Sequence, residues 1–287
     1  MSIITAIAAL GGLTLLLAIM LIVANKKLYV YEDPRIDKVE DMLPHANCGA
    51  CGYPGCRPFA EALVHEKTLP GKCTVSTDEG RQSIGEFLGV ALGAEEKQVA
   101  RLACAGGTNV AINRAQYVGI ESCQAATLVS GGGKGCFWGC LGHGDCEVVC
   151  DFDAITMNAH GLPIVDVEKC TACGDCVEAC PKDLFSIQPI SHKLWVACKN
   201  LEHGEAVLED CQVGCTACGK CAMDAGELIT MENNLPVINY ADNHKTKKPI
   251  QRCPTGAIVW LEDSGVVIKG KESRKIVRKG ARSIGNT

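Results

Sequence analysis

Four cysteines within eleven residues, Cys170-x2-Cys173-x2-Cys176-x3-Cys180 with Pro181 directly behind them, constrain this fold more than any other feature of the chain. Three thiols set three residues apart on a short loop converge on one point, which a regular strand would not allow. Cysteine is also abundant along the 287 residues: twenty are present, while only 5% of the chain is aromatic. So little aromatic mass does not build one large apolar core, and disulfides or metal must supply folding energy.

Compartment decides between those two. Ile3 to Ala24 runs for 22 residues without a charge, about 33 Å as a helix, enough to span a bilayer core. A cleaved signal is disfavoured, because no basic residue precedes the run, the run is long, and no small-residue cleavage site follows. We expect a retained single-pass anchor over residues 1–25. Lys26 and Lys27 follow it, so the positive-inside rule puts the bulk of the chain on the cytoplasmic side. A reducing cytoplasm disfavours disulfides and favours metal.

The Cys170 run has the spacing of a bacterial ferredoxin cluster loop, in which three thiolates wrap one face of an iron–sulfur cube and the fourth reaches a neighbouring one. A stretched partner lies upstream, Cys136-x3-Cys140-x5-Cys146-x3-Cys150, with Asp151 in place of the usual proline. The crossed rule of two-cluster ferredoxins then groups Cys136, Cys140, Cys146 and Cys180 around one [4Fe–4S] cube. It groups Cys150, Cys170, Cys173 and Cys176 around the other.

The segment AITMNAHGLPIVD at 154–166 returns as LITMENNLPVIN at 228–239, an internal repeat of about 74 residues. In the second copy Cys215-x2-Cys218-x2-Cys221 is intact, Ala225 stands at the fourth position, and only Cys253-Pro254 remains of the second loop. The crossed rule still completes one cube, from Cys215, Cys218, Cys221 and Cys253, and removes all four ligands of its neighbour. Near the N-terminus, Cys48-x2-Cys51-x4-Cys56-x16-Cys73 is threaded with Gly49, Gly52, Pro54 and Gly55 and reads as a fourth [4Fe–4S] set. A zinc knuckle is its rival; a [2Fe–2S] spacing runs four then two. Cys104, Cys123, Cys198 and Cys211 are left over. They fall at matching positions of the repeat, LAC ending at Cys104 and then Cys123-Gln, VAC ending at Cys198 and then Cys211-Gln, and are expected as buried or paired thiols, or as ligands of a further group.

Charge is uneven. From Lys269 onward there are seven basic residues against Glu272, which leaves 21 basic and 32 acidic residues on everything before. The acidic body disfavours nucleic acid, and the basic end suits an anionic surface or plain solvation. Gly131-Gly132-Gly133-Lys134-Gly135 is no phosphate loop, since Gly135 stands where Ser or Thr is required. Pro254-Thr255-Gly256-Ala257-Ile258 likewise lacks the final hydroxyl of a flavinylation site. The seven histidines, including His45 and His143, show no metal spacing, and no catalytic residues are assigned.

Taken in order, an N-terminal membrane helix, NCGACGYPGC, GCFWGCLGHGDC and CTACGDCVEACP resemble the B subunit of the Rnf complex, over nearly the whole chain. The resemblance implies an enzyme subunit with four [4Fe–4S] clusters in a bacterial or archaeal cytoplasmic membrane. Its electrons would come from reduced soluble ferredoxin and pass through other Rnf complex subunits toward NAD, coupled to sodium or proton movement. Rivals are the iron–sulfur subunit of a hydrogenase or quinone reductase, and a non-redox zinc scaffold. The expected class is α+β. We divide the chain into an anchor (1–25), a linker (26–45), a four-cysteine module (46–80) and a mainly helical segment (81–130). A two-cluster ferredoxin (131–190), a one-cluster derivative (191–262) and a basic tail (263–287) follow.

Overall fold

The structure, a computed structural model, describes residues 3–28, 32–93, 96–241, 246–263 and 265–274. The chain divides into two units. The first comprises Met1–Asn47, Tyr53–Pro70 and Ser76–Leu92; the second comprises Cys48–Gly52, Gly71–Val75 and Gly93–Thr287.

In the first unit, α1 (Ile3–Leu28) is apolar until Lys26 and Lys27 in its last turn. Of the described helices it alone is long and apolar enough to cross a membrane, over Ile7–Leu28. Helix α2 (Pro34–Asp41) begins where Asp33 accepts from the Arg35 N–H, with proline preset for the first turn. Its Ile36 and Val39 are buried as it packs on α3 (Cys56–Val64), which buries Phe59 and Leu63. Arg57 ties the pair together, donating to Glu40 at 2.7 Å and Asp37 at 3.0 Å. Much of the expected linker is therefore an ordered helix, because its apolar residues fall at helical spacing. Helix α4 (Asp78–Leu88) starts on Thr77, which accepts from the Gly80 N–H, and stops at Gly89 in the left-handed region.

The second unit begins with β1 (Gln98–Leu102), antiparallel to the later β4 (Phe185–Pro189). Between them lie α5 (Cys123–Leu128), α6 (Asp145–Val148), the hairpin β2 (Ile155–Met157) and β3 (Pro163–Val165), and α7 (Asp175–Glu178). The expected helical segment at 81–130 is thus mostly not helical. Helix α4 ends at Leu88, and Val99 to Leu102 find better burial and a full strand ladder against β4. Strand β5 (Leu194–Val196), α8 (Ala206–Asp210), α9 (Lys220–Ala225) and the hairpin β6 (Ile229–Glu232) and β7 (Leu235–Ile238) follow. Strands β8 (Ile258–Leu261) and β9 (Val267–Ile268) join β5 in one sheet of order β5–β8–β9. Both repeated segments therefore form antiparallel hairpins. The fold is α+β, as expected.

The expected tail boundary moves. β9 belongs to the sheet, and Glu272 and Arg274 donate backbone N–H bonds to Gln251 and Pro254, closing over the Cys253 loop. Of the basic tail, Lys275, Arg278, Lys279 and Arg282 lie outside the described residues.

Apolar packing and cysteines coincide. One core gathers Leu194, Ile229, Ile250, Ile258 and Trp260 around Cys215, Cys221 and Cys253. Another gathers Ala100, Ile155 and Phe185 around Cys146 and Cys176.

Candidate metal centres

Among the described residues, which include all twenty cysteines, no disulfide forms. One cavity is lined by Cys150, Cys170, Cys173 and Cys176, and a second by Cys215, Cys218, Cys221 and Cys253. In each, the first two thiols flank a Thr-Ala pair and a glycine follows the second. Ala172 and Gly174 have φ of 61° and 99°, Ala217 and Gly219 have 56° and 70°. Left-handed alanine is strained, and the strain turns three successive thiols toward one centre. The fourth ligand arrives from elsewhere: Cys150 from behind α6, and Cys253 from the loop before β8. Among the described residues no three His, Cys, Asp or Glu side chains close to the spacing of a single ion. Four sulfurs on one zinc at about 2.3 Å would lie about 4 Å apart, so these cavities suit a larger, polynuclear group.

Burial shapes the sulfur chemistry. It pushes the Cys176 and Cys146 thiols up to about 12, and Cys215 and Cys221 up to about 11. Four thiolates are costly in such a cavity unless cationic iron balances them. Backbone donors are aimed accordingly: the Ala100 N–H reaches Cys170 Sγ and the Leu184 N–H reaches Cys180 Sγ, both at 3.4 Å. Thiols, apolar walls and donors to sulfur together fit an iron–sulfur cube.

Of the expected first ferredoxin set, two ligands are tied to α5: Asp145, next to Cys146, accepts from the Cys123 N–H, and Ala179, next to Cys180, accepts from the Gln124 side chain. Cys136 lines a third cavity instead, together with Cys104, Cys198 and Cys211. The four leftover cysteines are therefore not surface thiols; all lie beside ligand candidates.

In the N-terminal module, Cys56 opens α3 with its N–H donated to Asn47 at 2.8 Å. Cys48, Cys51 and Cys73 belong to the second unit. There Thr74, next to Cys73, donates through Oγ1 to the Thr171 carbonyl at 2.6 Å, inside the Cys170 loop. The Lys134 ammonium donates to the carbonyls of Gly106 and Cys140.

These cavities on a small α+β frame define an iron–sulfur electron-transfer protein of the ferredoxin type. The family models agree: "Putative Fe-S cluster" matches residues 43–75 and "4Fe-4S dicluster domain" matches 136–184. The chain is 39% identical to the B subunit of the Na(+)-translocating ferredoxin:NAD(+) oxidoreductase complex of Acetobacterium woodii, covering 96% of this chain and 82% of that one. It is 36% identical to the proton-translocating counterpart of Clostridium ljungdahlii, over 85% and 87% of the two chains. A third relative, the B subunit of the ion-translocating oxidoreductase complex of Methanosarcina acetivorans, is 37% identical over 76% and 83%. The chain belongs to the B-subunit family of these Rnf-type oxidoreductase complexes.

Proposed function

We propose that this subunit relays single electrons from reduced soluble ferredoxin toward NAD within a membrane-bound, ion-translocating complex. Four [4Fe–4S] sets carry the relay in this reading, on the cysteines grouped above from sequence. Helix α1 holds the chain to the bilayer as a single span, with the bulk on the cytoplasmic side. The observation that carries the reading is the convergence of four thiols from two separate loops on each of two similar cavities. When bound, such cubes supply one-electron redox capacity with little change of geometry.

The residues present supply the rest. Thiolates fix the group, the N–H donors to Cys170 and Cys180 favour the more negative state, and Leu194, Ile258 and Trp260 pack an apolar wall around Cys215, Cys221 and Cys253. The Thr74–Thr171 bond ties the Cys73 segment to the Cys170 loop, which supports short hops between a cluster held by Cys73 and the dicluster.

Iron and acid-labile sulfide analysis of the detergent-solubilised full chain, purified without oxygen, tests the reading together with EPR after mixing with reduced ferredoxin. Reduced-cluster signals on mixing are expected. Zinc in place of iron, or clusters that ferredoxin leaves oxidised, would refute it.

A further inference from the structure

We infer that Cys104, Cys136, Cys198 and Cys211 form a fifth four-thiolate site for a [4Fe–4S] cube, and that Cys123 takes the place of Cys136 beside Cys140, Cys146 and Cys180. All twenty cysteines then fall into five quartets. This rests on reading the thiol-lined cavities as cluster sites, and adds a site and a regrouping to it.

Spacing carries the first step. Cys136, Cys140 and Cys146 each have a counterpart 75 residues on, at Cys211, Cys215 and Cys221, and Gly139 has one at Gly214. In the second copy the cavity is completed by Cys215, Cys218, Cys221 and Cys253, and Cys211 stands outside it. By the same register Cys136 stands outside the first copy's quartet. The counterpart of Cys218 is His143, so that quartet lacks one thiol.

Cys123 fills the gap. The Asp145 carboxylate, one residue before Cys146, accepts from the Cys123 N–H at 2.9 Å, the Ser122 hydroxyl at 2.9 Å and the Gln124 N–H at 3.0 Å. The Gln124 side chain donates to the carbonyl of Ala179, one residue before Cys180. Cys123 is thereby pinned between two of its three partners.

The displaced Cys136 meets its counterpart Cys211 across one short segment. Residues 110–112 accept from Gln212 and Gly135 and donate to Asp210, so the two loops flank a common backbone. Cys104 and Cys198 come together the same way, with the Ala105 N–H donating to Ala197 O at 3.1 Å. Each copy thus contributes two thiols to one cavity. A Cβ placed on Gly106 would stand 3.1 Å from Cys211 Sγ and 3.7 Å from Cys104 Sγ, so glycine here keeps the space between sulfurs clear.

The donors match this symmetry. Cys104 Sγ accepts from the N–H of Gly106 at 3.4 Å and of Cys140 at 3.5 Å; Cys198 Sγ accepts from the N–H of Asn200 at 3.5 Å and of Cys215 at 3.3 Å. The buried Asn200 side chain adds a donor to Cys136 Sγ at 3.7 Å. Five donors on three sulfurs suit ligated thiolates rather than idle thiols. Moreover, Cys140 and Cys215 are ligand candidates of the flanking quartets, so the fifth site lies between two others.

Iron and sulfide counting on the oxygen-protected full chain tests the inference. About twenty irons per chain are expected, against about sixteen for four cubes. Cys198→Ser with Cys211→Ser should remove about four irons and leave the remaining EPR centres unchanged. Cys123→Ser should perturb the same centre as Cys140→Ser, and Cys136→Ser a different one. A wild-type count of about sixteen, or Cys136→Ser and Cys140→Ser altering one and the same centre, would overturn it. Twenty irons that ferredoxin fails to reduce would refute the proposed electron donor and still support the five quartets. The wild-type count decides the question even if a double variant fails to fold.

Discussion

The ion pair between Arg114 and Asp210 offers an asymmetric test of how the Cys211 loop is held. Asp210 precedes Cys211, and its side chain is 6% exposed, while Arg114 is 67% exposed. The guanidinium makes two hydrogen bonds through Nη2, at 2.9 and 2.8 Å, and a third through Nε at 3.3 Å. Removing Arg114 strands a buried carboxylate; a partner left buried and unsatisfied costs about 1–3 kcal/mol, and more for a charge. Removing the acid strands only a cation that already reaches water, so solvent discounts that loss to about 1 kcal/mol. We expect Arg114→Ala to cost about 2–3 kcal/mol and Asp210→Asn about half as much. At about 2–4 °C per kcal/mol for a unit of this size, the midpoints should fall by about 4–12 °C and about 2–6 °C. Thermal melts of the iron-loaded full chain, read by loss of cluster absorbance, measure both. Asp210→Asn melting below Arg114→Ala would refute the reasoning, because the cost would then track lost contacts rather than the stranded charge.

Cys253→Ala should remove about four irons and one EPR centre while sparing the others; an unchanged spectrum would separate Cys253 from Cys215, Cys218 and Cys221. Gly133 has φ of 74°, and a Cβ there would meet Ala115 O at 2.6 Å, so Gly133→Ala should cost about 2–3 kcal/mol. A midpoint within 1–2 °C of the parent, by about 2–4 °C per kcal/mol, would show that the loop relaxes freely. Leu16→Arg puts a charge in the middle of α1 at a cost of about 3 kcal/mol, and should shift protein from the membrane to the soluble fraction on cell fractionation. Undiminished membrane retention would mean that other contacts hold the chain there.

What could be read from the residues was local. The Thr-Ala-Cys-Gly loops announce their chemistry within a dozen residues, and the twin hairpins alternate apolar and polar side chains over short spans. The apolar run before Lys26 is equally explicit. What could not be read joined distant segments. Glu86 to Ala103 looks amphipathic at helical period, yet Gly89 stops the helix and Val99 to Leu102 pair with Phe185 to Gln188, far along the chain. The same holds for the third cavity. Cys104 and Cys198 carry no spacing signal, since each sits alone at the end of an Ala-Cys segment and gains meaning only where Ala105 bonds to Ala197. One signal was available: the x3-Cys-x5-Cys register that aligns Cys136 with Cys211. The glutamine that follows both Cys123 and Cys211 pointed instead to Cys123 as the counterpart of Cys211.

The repeat also explains how a chain with so few aromatic residues holds several cavities open. Each hairpin buries an isoleucine, Ile155 or Ile229, on the side where cysteines stand, so the apolar core and the thiol walls are one structure. Neither can form fully without the other: an unfilled cavity forfeits the contacts that its lining would make, and four thiols without cations leave the donors at their sulfurs weakly matched. Folding and metal loading are therefore coupled in the second unit. The third cavity extends that coupling across the repeats, because its walls come half from one copy and half from the other. The loss of a whole ligand set beside Ala225 is tolerable for the same reason, since four ligands vanished together and no half-built charge was left behind.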